Sequence, residues 1–360
     1  MIKSLDIYNI CDKIYNEIGW QNVAIFSKKH KKPLKFAENG EKMNVLKELS
    51  LIGIVPVIKI DRVEDALPLA KALIDGGLPC AEITFRTAAA KDAIAAITRE
   101  YPDMIVGAGT VLTKEQVDAA IEAGSKFIVS PGFNPEIVKY CQEKGCPIVP
   151  GINNPTGIEQ ALSLGLTTVK FFPAEQSGGI NMIKAMSAPY GAVTFMPTGG
   201  IGPGNVNDYL SFNKILCCGG SWMVKADMIS AGDFDGIKKL VRQAVDTMLG
   251  FKFKHMAINE TSKNAADSDA NAIDSIFGLG TRAASASTFA SESIEIMHTP
   301  GKGTHGHVGI QTNNVERAVY HLERRGVKFD HSTARFDKAG KMTFIYLADE
   351  IGGFAFHICH

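Results

Sequence analysis

One repeated unit between about residues 51 and 225 limits the possible folds more than any other feature of the sequence. Each unit has a short run rich in β-branched residues, a turn, and a stretch with helical spacing of apolar residues, such as Val117, Ala120 and Ile121. The runs occupy residues 54–58, 80–85, 105–108, 127–130, 147–150, 168–172, 194–197 and 215–218. Alternating strands and helices predict a parallel sheet, and eight strands predict an α/β fold closed into a (β/α)₈ barrel. Residues 233–249 then fit an outer closing helix.

The rest of the chain has a different pattern. A length of 360 residues exceeds one ordinary domain. We predict an N-terminal extension (1–42) without an assigned role, the barrel (43–250) and a smaller α+β domain (251–360). Within the last part, residues 259–271 are rich in Ser, Asn, Asp and Ala, and we predict that they are loosely ordered. A weak internal repeat predicts paired βαβββ modules.

Composition argues against several classes of function. The 38 Lys and Arg residues balance 38 Asp and Glu residues, so no global field would attract nucleic acid or an anionic membrane. Seven scattered cysteines without a CxxC pair predict reduced, buried thiols. The N-terminus lacks a secretory apolar segment, and no apolar run reaches spanning length. We therefore expect a cytoplasmic protein that binds neither nucleic acid nor membrane.

Lys170 lies among apolar residues on the sixth predicted strand. A lysine in this position either extends its amine to water or is buried. Burial disfavours the charged form, lowers the pKa and leaves a free amine that can attack a ketone. The strand alone leaves both interpretations open.

Glu82, in the second predicted strand, bears on this choice. Residues two apart on a strand share a face, so Glu82, Thr84 and Arg86 are predicted to point the same way. In a barrel interior an acid near an imine-forming lysine could transfer protons during imine formation and carbon–carbon cleavage. The alternative is a structural ion pair between Glu82 and Arg86.

Paired glycines follow the last two predicted strands. Gly199 and Gly200 follow the seventh, while Gly219 and Gly220 precede Ser221 after the eighth. In (β/α)₈ barrels these two loops often bind phosphate through backbone N–H groups. The sequence therefore predicts a phosphate site.

Residues from about 50 to 246 resemble the 2-keto-3-deoxy-6-phosphogluconate/4-hydroxy-2-oxoglutarate aldolases. The matching motifs are residues 82–87, 107–112, 130–132, 169–175, 197–201 and 219–222. The resemblance implies a class I (Schiff-base) aldolase that cleaves the first compound to pyruvate and glyceraldehyde 3-phosphate, the second to pyruvate and glyoxylate, or both. It also implies a homotrimer that needs no cofactor for this reaction. A non-catalytic sugar-phosphate sensor is an alternative, against which the intact Lys170 and Glu82 argue.

The same resemblance implies a role for each matched residue. Lys170 is the Schiff-base lysine and Glu82 the general acid/base. Arg86 would bind the substrate carboxylate, and the glycine loops with Ser221 would bind phosphate. The full set of implied substrate-binding residues is Lys59, Arg86, Thr110, Pro131, Phe172, Thr198, Gly199, Gly200, Gly220 and Ser221.

The two C-terminal modules resemble the vicinal-oxygen-chelate (glyoxalase-like) fold. That resemblance implies a cupped sheet with metal ligands on the first and last strand of each module. These positions hold His255, Glu295, His307 and His357, a set that suits a divalent metal such as Zn²⁺, Fe²⁺, Ni²⁺ or Mn²⁺. Two alternatives remain: a domain kept only for assembly, and a bifunctional enzyme with a metal-dependent isomerase or lyase activity in this domain.

Overall fold

The structure, a computed structural model, describes residues 44–360, so the predicted extension (1–42) lies outside the described residues. The first part of the described chain alternates strands and helices. Its strands are β1 (Ile54–Ile58), β2 (Cys80–Thr84), β3 (Ile105–Gly109), β4 (Phe127–Val129), β5 (Ile148–Val149), β6 (Gly151–Ile152), β7 (Thr168–Phe171), β8 (Thr194–Pro197) and β9 (Cys218–Gly220). Its helices are α1 (Val45–Ile52), α2 (Ala66–Gly76), α3 (Ala90–Glu100), α4 (Lys114–Glu122), α5 (Pro135–Glu143), α6 (Pro155–Ser163), α7 (Gly179–Ser187), α8 (Val206–Leu210), α9 (Ala226–Ser230) and α10 (Phe234–Leu249).

These strands pair in parallel, which confirms the predicted α/β class. One sheet has the order β5-β4-β3-β2-β1-β9 and another the order β6-β7-β8. Only Pro150 separates β5 from β6. A single parallel bridge joins Thr198, just after β8, to Gly219 in β9.

The outer helix α10 shows how local sequence produces this packing. The Asp233 side chain accepts a hydrogen bond from the Gly236 N–H and caps the helix. This agrees with the predicted helix start at residue 233. Apolar residues then recur on one face and are buried against α2. A Cβ at Gly76 of α2 would lie 2.5 Å from Val241 Cγ1. Glycine therefore allows the two helices to approach closely.

Two predicted strands differ from the observed ones. The run 147–150 contains only the short strand β5, and a separate strand β6 follows at Gly151, because Pro150 has no N–H to donate to a ladder. The run 215–218 is displaced, because β9 begins only at Cys218. Ile215 instead forms an isolated bridge with Phe195. Apolar character alone could not distinguish the bridge from the ladder.

The second part contains one large sheet and two helices. Its elements are β10 (Lys252–Asn259), α11 (Lys263–Phe277), β11 (Thr281–Ala283), β12 (Ser287–Ala290), β13 (Ile294–Met297), β14 (Gly306–Gln311), α12 (Val315–Glu323), β15 (Phe329–Phe336), β16 (Met342–Leu347) and β17 (Phe354–Cys359). The sheet order is β11-β12-β13-β10-β14-β17-β16-β15. The central strands β10 and β14 are antiparallel, while β10 pairs in parallel with β13, and β14 with β17.

The prediction that residues 259–271 are loosely ordered is wrong, because α11 begins at Lys263. The Ser262 hydroxyl accepts from the Ala265 N–H and caps the helix. Ala266 and Ala270 are the buried residues of this helix. The sequence predicts helical spacing only at residues 271–277, because alanine has the highest helix propensity but contributes little to an apolar pattern, and the first part of this helix was missed.

Helix α12 packs the large sheet against the first part of the chain, near the residues that precede β1 and β9. The Tyr320 hydroxyl donates to Glu48 of α1 at 3.1 Å. His321 is buried, which lowers its pKa to about 4, and its Nε2 lies 3.1 Å from the Ile52 carbonyl. A neutral imidazole can donate Nε2–H to that oxygen. The two parts therefore share a polar and buried contact.

Arg317 of α12 is the most deeply buried cation in this contact and is only 7% exposed. Its guanidinium donates to the carbonyls of Ser50, Leu210 and Leu216 at 3.0, 3.4 and 3.3 Å. Ser50 and Leu210 lie in the last turns of α1 and α8, where carbonyls lack helical partners and carry partial negative charge. Arg317 thus satisfies two helix ends.

None of the helices within residues 44–360 is long and apolar enough to cross a membrane. The cysteines in this range are Cys80, Cys141, Cys146, Cys217, Cys218 and Cys359, and all are buried free thiols, as predicted.

Candidate active site and metal cluster

Lys170 on β7 and Glu82 on β2 face each other inside the first part of the chain. Lys170 is 5% exposed and Glu82 is fully buried. Lys170 Nζ lies 3.4 Å from Glu82 Oε1, and the other carboxylate oxygen has no hydrogen-bond partner among the described residues. Buried carboxylate oxygens are normally satisfied, so an unpaired one beside an amine indicates a place for a substrate group or water.

Close packing positions the glutamate. Glu82 pairs with Gly107 in register, and its side chain lies over Gly109. A Cβ at position 109 would be 2.3 Å from Glu82 Oε1. Position 109 therefore requires glycine, because a larger side chain would collide with the Glu82 carboxylate.

The alternative role for Glu82, an ion pair with Arg86, is not what the structure contains. Glu82 pairs with Lys170, and Arg86 Nε donates to the Thr84 hydroxyl at 3.1 Å. Thr84 in turn donates to the Ile58 carbonyl at 2.9 Å. Arg86 is exposed just beyond the strand, so its guanidinium can reach an anion.

Several predicted pocket residues lie at neighbouring strand ends. Thr110 follows β3 and has φ of 57°, which is unusual for a β-branched residue. The Phe172 ring centroid lies 5.3 Å from Lys170 Nζ. Thr198 is 7% exposed, and its buried hydroxyl lacks a partner among residues 44–360. Pro131 is half-buried, and its carbonyl lies against Gly151 of β6.

The predicted phosphate residues follow β8 and β9. Gly199 and Gly200 have φ of 102° and 78°, a conformation that favours glycine. Gly220 is buried, and Ser221 is exposed directly after it. Lys59 is different, because its amine pairs with Asp61 at 2.8 Å and its side chain is 43% exposed.

The residues that hold the Gly199–Gly200 loop were not predicted from the sequence. Glu175 accepts a hydrogen bond from the buried Tyr209 hydroxyl and packs directly over Gly200. The Asn205 amide donates to the Gly200 carbonyl at 3.1 Å. Glu175 lies within the matched motif 169–175, so its position was visible. Its contact with Tyr209, 34 residues away, was not.

A buried lysine beside a buried carboxylate, at one end of a parallel sheet, is typical of lyases that form an imine with their substrate. Comparison with known proteins identifies the family. A model of the family "KDPG and KHG aldolase" matches residues 44–240. The chain belongs to the KDPG and KHG aldolase family, whose members named below are aldehyde-lyases.

Individual relatives agree with this assignment. The chain is 51% identical over 203 residues to the 2-dehydro-3-deoxy-phosphogluconate aldolase of Treponema pallidum, covering 56% of this chain and 97% of that protein. It is 47% identical over 193 residues to the KHG/KDPG aldolase of Escherichia coli K12, covering 54% of this chain and 91% of the relative. A crystal structure of KDPG aldolase from Legionella pneumophila, with pyruvate captured as a covalent carbinolamine, is 37% identical. That comparison covers 55% of this chain and 97% of the other, with a TM-score of 0.54.

A second cluster lies on the large sheet, beyond the residues that the family matches. His255 Nε2 lies 3.2 Å from His307 Nε2 and 3.3 Å from His357 Nε2. Glu295 Oε2 lies 3.6 Å from both His255 and His307. The four predicted ligands, from β10, β13, β14 and β17, therefore converge.

Electrostatics favour neutral imidazoles at His255 and His357. Burial, together with the neighbouring His255 and His307, lowers the pKa of His357 to about 3. Burial also lowers the pKa of His255, although Glu295 opposes this shift. Burial would raise the Glu295 pKa, but hydrogen bonds from His307 and Ser287 hold it below its ordinary value. Near neutral pH the imidazoles of His255 and His357 therefore present lone pairs beside the Glu295 carboxylate.

Replacement of Glu82 by glutamine is expected to lower turnover roughly 10²–10⁴-fold, the usual contribution of a positioned proton-transfer group. The amide keeps the size of the side chain but cannot accept a proton. Borohydride trapping with pyruvate should still label the variant slowly, while steady-state cleavage reports the lost turnover. Glu122→Gln, which alters an exposed carboxylate paired with Lys91, is the control. Near-normal turnover of Glu82→Gln would exclude the acid/base role.

Proposed function

We propose that this protein is a class I aldolase that cleaves 2-keto-3-deoxy-6-phosphogluconate, 4-hydroxy-2-oxoglutarate or both, with Lys170 as the Schiff-base residue. The observation that carries the proposal is the buried Lys170–Glu82 pair with its unpaired carboxylate oxygen. The named activities of the relatives support the substrate class. The covalent carbinolamine in the Legionella enzyme supports the chemistry.

Cleavage begins when Glu82 accepts a proton from the Lys170 ammonium and frees its amine. The amine adds to the 2-keto carbon, and Glu82 gives its proton to the departing hydroxyl, so that the carbinolamine loses water to form an iminium and Glu82 is again a carboxylate. Glu82, directly or through water, then removes the C4 hydroxyl proton. The C3–C4 bond breaks and its electrons pass to the iminium, which becomes an enamine as the aldehyde leaves. Protonation at C3 and hydrolysis release pyruvate and regenerate Lys170, so this route needs no cofactor.

The residues around the lysine suit the two ends of such a substrate. Arg86 would bind the carboxylate, because its planar guanidinium matches that group. Thr198 would donate to a substrate hydroxyl. The N–H groups of the loops at Gly199–Gly200 and Gly220–Ser221 would bind phosphate. Thr110, Pro131 and Phe172 would line the pyruvate part, and Lys59 would first have to leave Asp61.

Borohydride reduction in the presence of pyruvate tests the assignment directly. The reduction should attach pyruvate covalently to one lysine, and peptide mass mapping should place it at Lys170. Without pyruvate, the same reduction should give no adduct. Labelling at another lysine would overturn the proposal.

Replacement of Gly200 by valine is expected to raise KM for the phosphorylated substrate roughly 10–100-fold, the worth of lost charge-assisted hydrogen bonds. A Cβ at this position would lie 2.5 Å from Glu175 Cγ, and φ is 78°. The loop must therefore move. KM for 4-hydroxy-2-oxoglutarate, which lacks phosphate, should change little.

Gly202→Val is the matched control for this experiment, because a Cβ there meets nothing within 4 Å. Steady-state kinetics with both substrates should leave this variant close to the parent. Equal KM changes for both substrates in Gly200→Val would count against the loop as a phosphate site.

We also propose that His255, Glu295, His307 and His357 bind one divalent metal. Nitrogens bound to one ion at about 2.1 Å lie about 3.0 Å apart at a right angle and about 3.4 Å apart at the tetrahedral angle. The observed separations of 3.2 and 3.3 Å fall between these values. His255 Nε2 cannot satisfy both neighbours by one hydrogen bond, whereas a cation satisfies all three nitrogens. The comparisons give no support for a second catalytic activity, and the proposal is limited to binding.

Metal analysis of protein purified without chelator or histidine tag should find about one equivalent of a transition metal. His307→Ala should lose it, because a buried ligand is removed. His305→Ala, which removes an exposed histidine outside the cluster, should retain it. Aldol cleavage should not depend on the metal. Less than about 0.1 equivalent after reconstitution would leave only an assembly role for this domain.

We further infer that strands β1 to β9 close into a (β/α)₈ barrel and that the domains divide near residue 250. The bridge between Thr198 and Gly219 and the short gap at Pro150 support closure. Helix α10 ends at Leu249, and β10 begins at Lys252. The element order strand, helix and three strands, present twice after residue 251, supports paired βαβββ modules. A homotrimer is expected from the family resemblance, and its mass in solution tests that expectation.

A further inference from the structure

We propose that the metal cluster on the C-terminal sheet binds a small organic carboxylate, with Arg335 as the residue that recognises its charge. This inference rests on the proposed metal site. It adds a ligand class and a recognition residue that the four metal ligands do not define.

Aromatic side chains flank the cluster on one side. Tyr346 is in register with His357, and their ring centroids are 5.2 Å apart. The Phe344 ring lies 4.5 Å from His357, at an angle of 31°. Tyr346 also lies 6.1 Å from the His307 ring. The two aromatic rings form an apolar wall suited to the short carbon chain of a metal-bound molecule.

Arg335 lies on β15, the strand next to the one that carries these two rings. It is in register with Phe344, and its Cζ is 4.7 Å from the Phe344 ring centroid. The side chain is exposed and forms no ion pair with any carboxylate in residues 44–360. Lys302, which lies over the Tyr346 ring, differs because it pairs with Asp330 at 2.7 Å. Arg335 therefore has donors available for a ligand.

The charges of the site select an anion. A divalent ion with three neutral imidazoles and the Glu295 carboxylate leaves one positive charge, and Arg335 adds another. A guanidinium binds a carboxylate through two parallel N–H donors, which a neutral ligand cannot match. The chemistry therefore points to a molecule that offers one oxygen to the metal and a carboxylate to Arg335.

The other half of the sheet offers a matched comparison. Arg282 lies 4.3 Å over the Phe289 ring, and Phe289 is in register with Glu295. Within the described residues, Phe289 makes no ring contact with a histidine of the cluster, unlike Phe344. Each arginine lies over an aromatic ring, but only the ring under Arg335, that of Phe344, contacts a histidine of the cluster.

The test uses the full chain with Lys170→Ala, so that pyruvate cannot react at the lysine, loaded with Co²⁺. The visible absorption of Co²⁺ is titrated with pyruvate and with its neutral amide. Pyruvate should change the bands saturably, and the amide should bind more weakly. Arg335→Ala should weaken pyruvate binding at least about tenfold, the loss expected for a charge-assisted hydrogen bond. Arg335→Lys should recover part of it, and Arg282→Ala should change nothing.

The outcomes separate the two proposals. If no Co²⁺ bands develop, the metal site is wrong, and this inference fails with it. If the bands develop but pyruvate leaves them unchanged, only the carboxylate inference is overturned. Equal pyruvate affinity in Arg335→Ala and its parent, or equal losses in the two arginine variants, would also overturn it.

Discussion

Replacement of Lys170 by alanine is expected to abolish aldol cleavage, a loss on the order of 10⁴–10⁶-fold in kcat if residual activity can be measured. The reason is chemical. Without the amine no iminium forms, and the electrons of the breaking C3–C4 bond have no acceptor. Coupled assays of pyruvate release should measure the loss, and circular dichroism should show an unchanged fold.

Lys170→Arg is the control that separates charge from nucleophilicity. The guanidinium keeps a cation beside Glu82 but forms no imine, because its pKa lies far above that of an amine. We therefore expect this variant to be as inactive as Lys170→Ala. Lys184→Ala, on α7, should retain activity. Cleavage by either Lys170 variant at more than a few per cent of the parent rate would contradict the Schiff-base assignment.

Arg317→Ala is expected to lower the free energy of unfolding by about 3–5 kcal/mol. The substitution leaves the carbonyls of Ser50, Leu210 and Leu216 without their donor and opens a cavity between the two parts of the chain. Denaturant titration measures the change. The values of kcat and KM should be nearly unaffected in the folded variant, because Ser50 and Leu216 precede β1 and β9, whereas the substrate loops follow the strands.

Arg324→Ala provides the comparison on the same helix. Arg324 is exposed and lies 5.7 Å over the Tyr320 ring, so its removal should cost less than about 1 kcal/mol. If Arg317→Ala were no more destabilising than Arg324→Ala, the buried guanidinium would not hold the two parts together. A large loss of turnover in folded Arg317→Ala would instead show coupling between the interface and the aldolase site.

This interface was not predicted from the sequence, although Arg317 and His321 lie on a helix that was. The spacing of apolar residues in 315–325 predicts a helix, and the structure contains α12 at Val315–Glu323. The pattern gave no reason to expect that Arg317 and His321 are buried on this helix. Charged residues usually mark the solvent face. Here that face packs against two helix ends in the first part of the chain, and their carbonyls accept hydrogen bonds from Arg317.

Local sequence determined the alternation of strands and helices, the α/β class and the motifs that identify the family. It also singled out Lys170 and Glu82, because a lysine and an acid on apolar strands are unusual enough to require an explanation. The periodicity of apolar side chains shows which face of a helix or strand is buried, and this signal comes only from residues close together in the sequence. For that reason the pattern missed the first part of α11, whose buried face consists of alanines. It also predicted a strand at Ile215, where the structure has only an isolated bridge.

Only the tertiary structure decided which of these residues meet. Glu82 and Lys170 are 88 residues apart, and strand order and register bring their side chains to 3.4 Å. The same packing joins Glu175 to Tyr209 and brings three histidines and Glu295 together from four strands. Such contacts depend on how whole elements pack, because the loop lengths between them leave many arrangements open. The sequence therefore determined which chemical groups are available, and packing determined their distances.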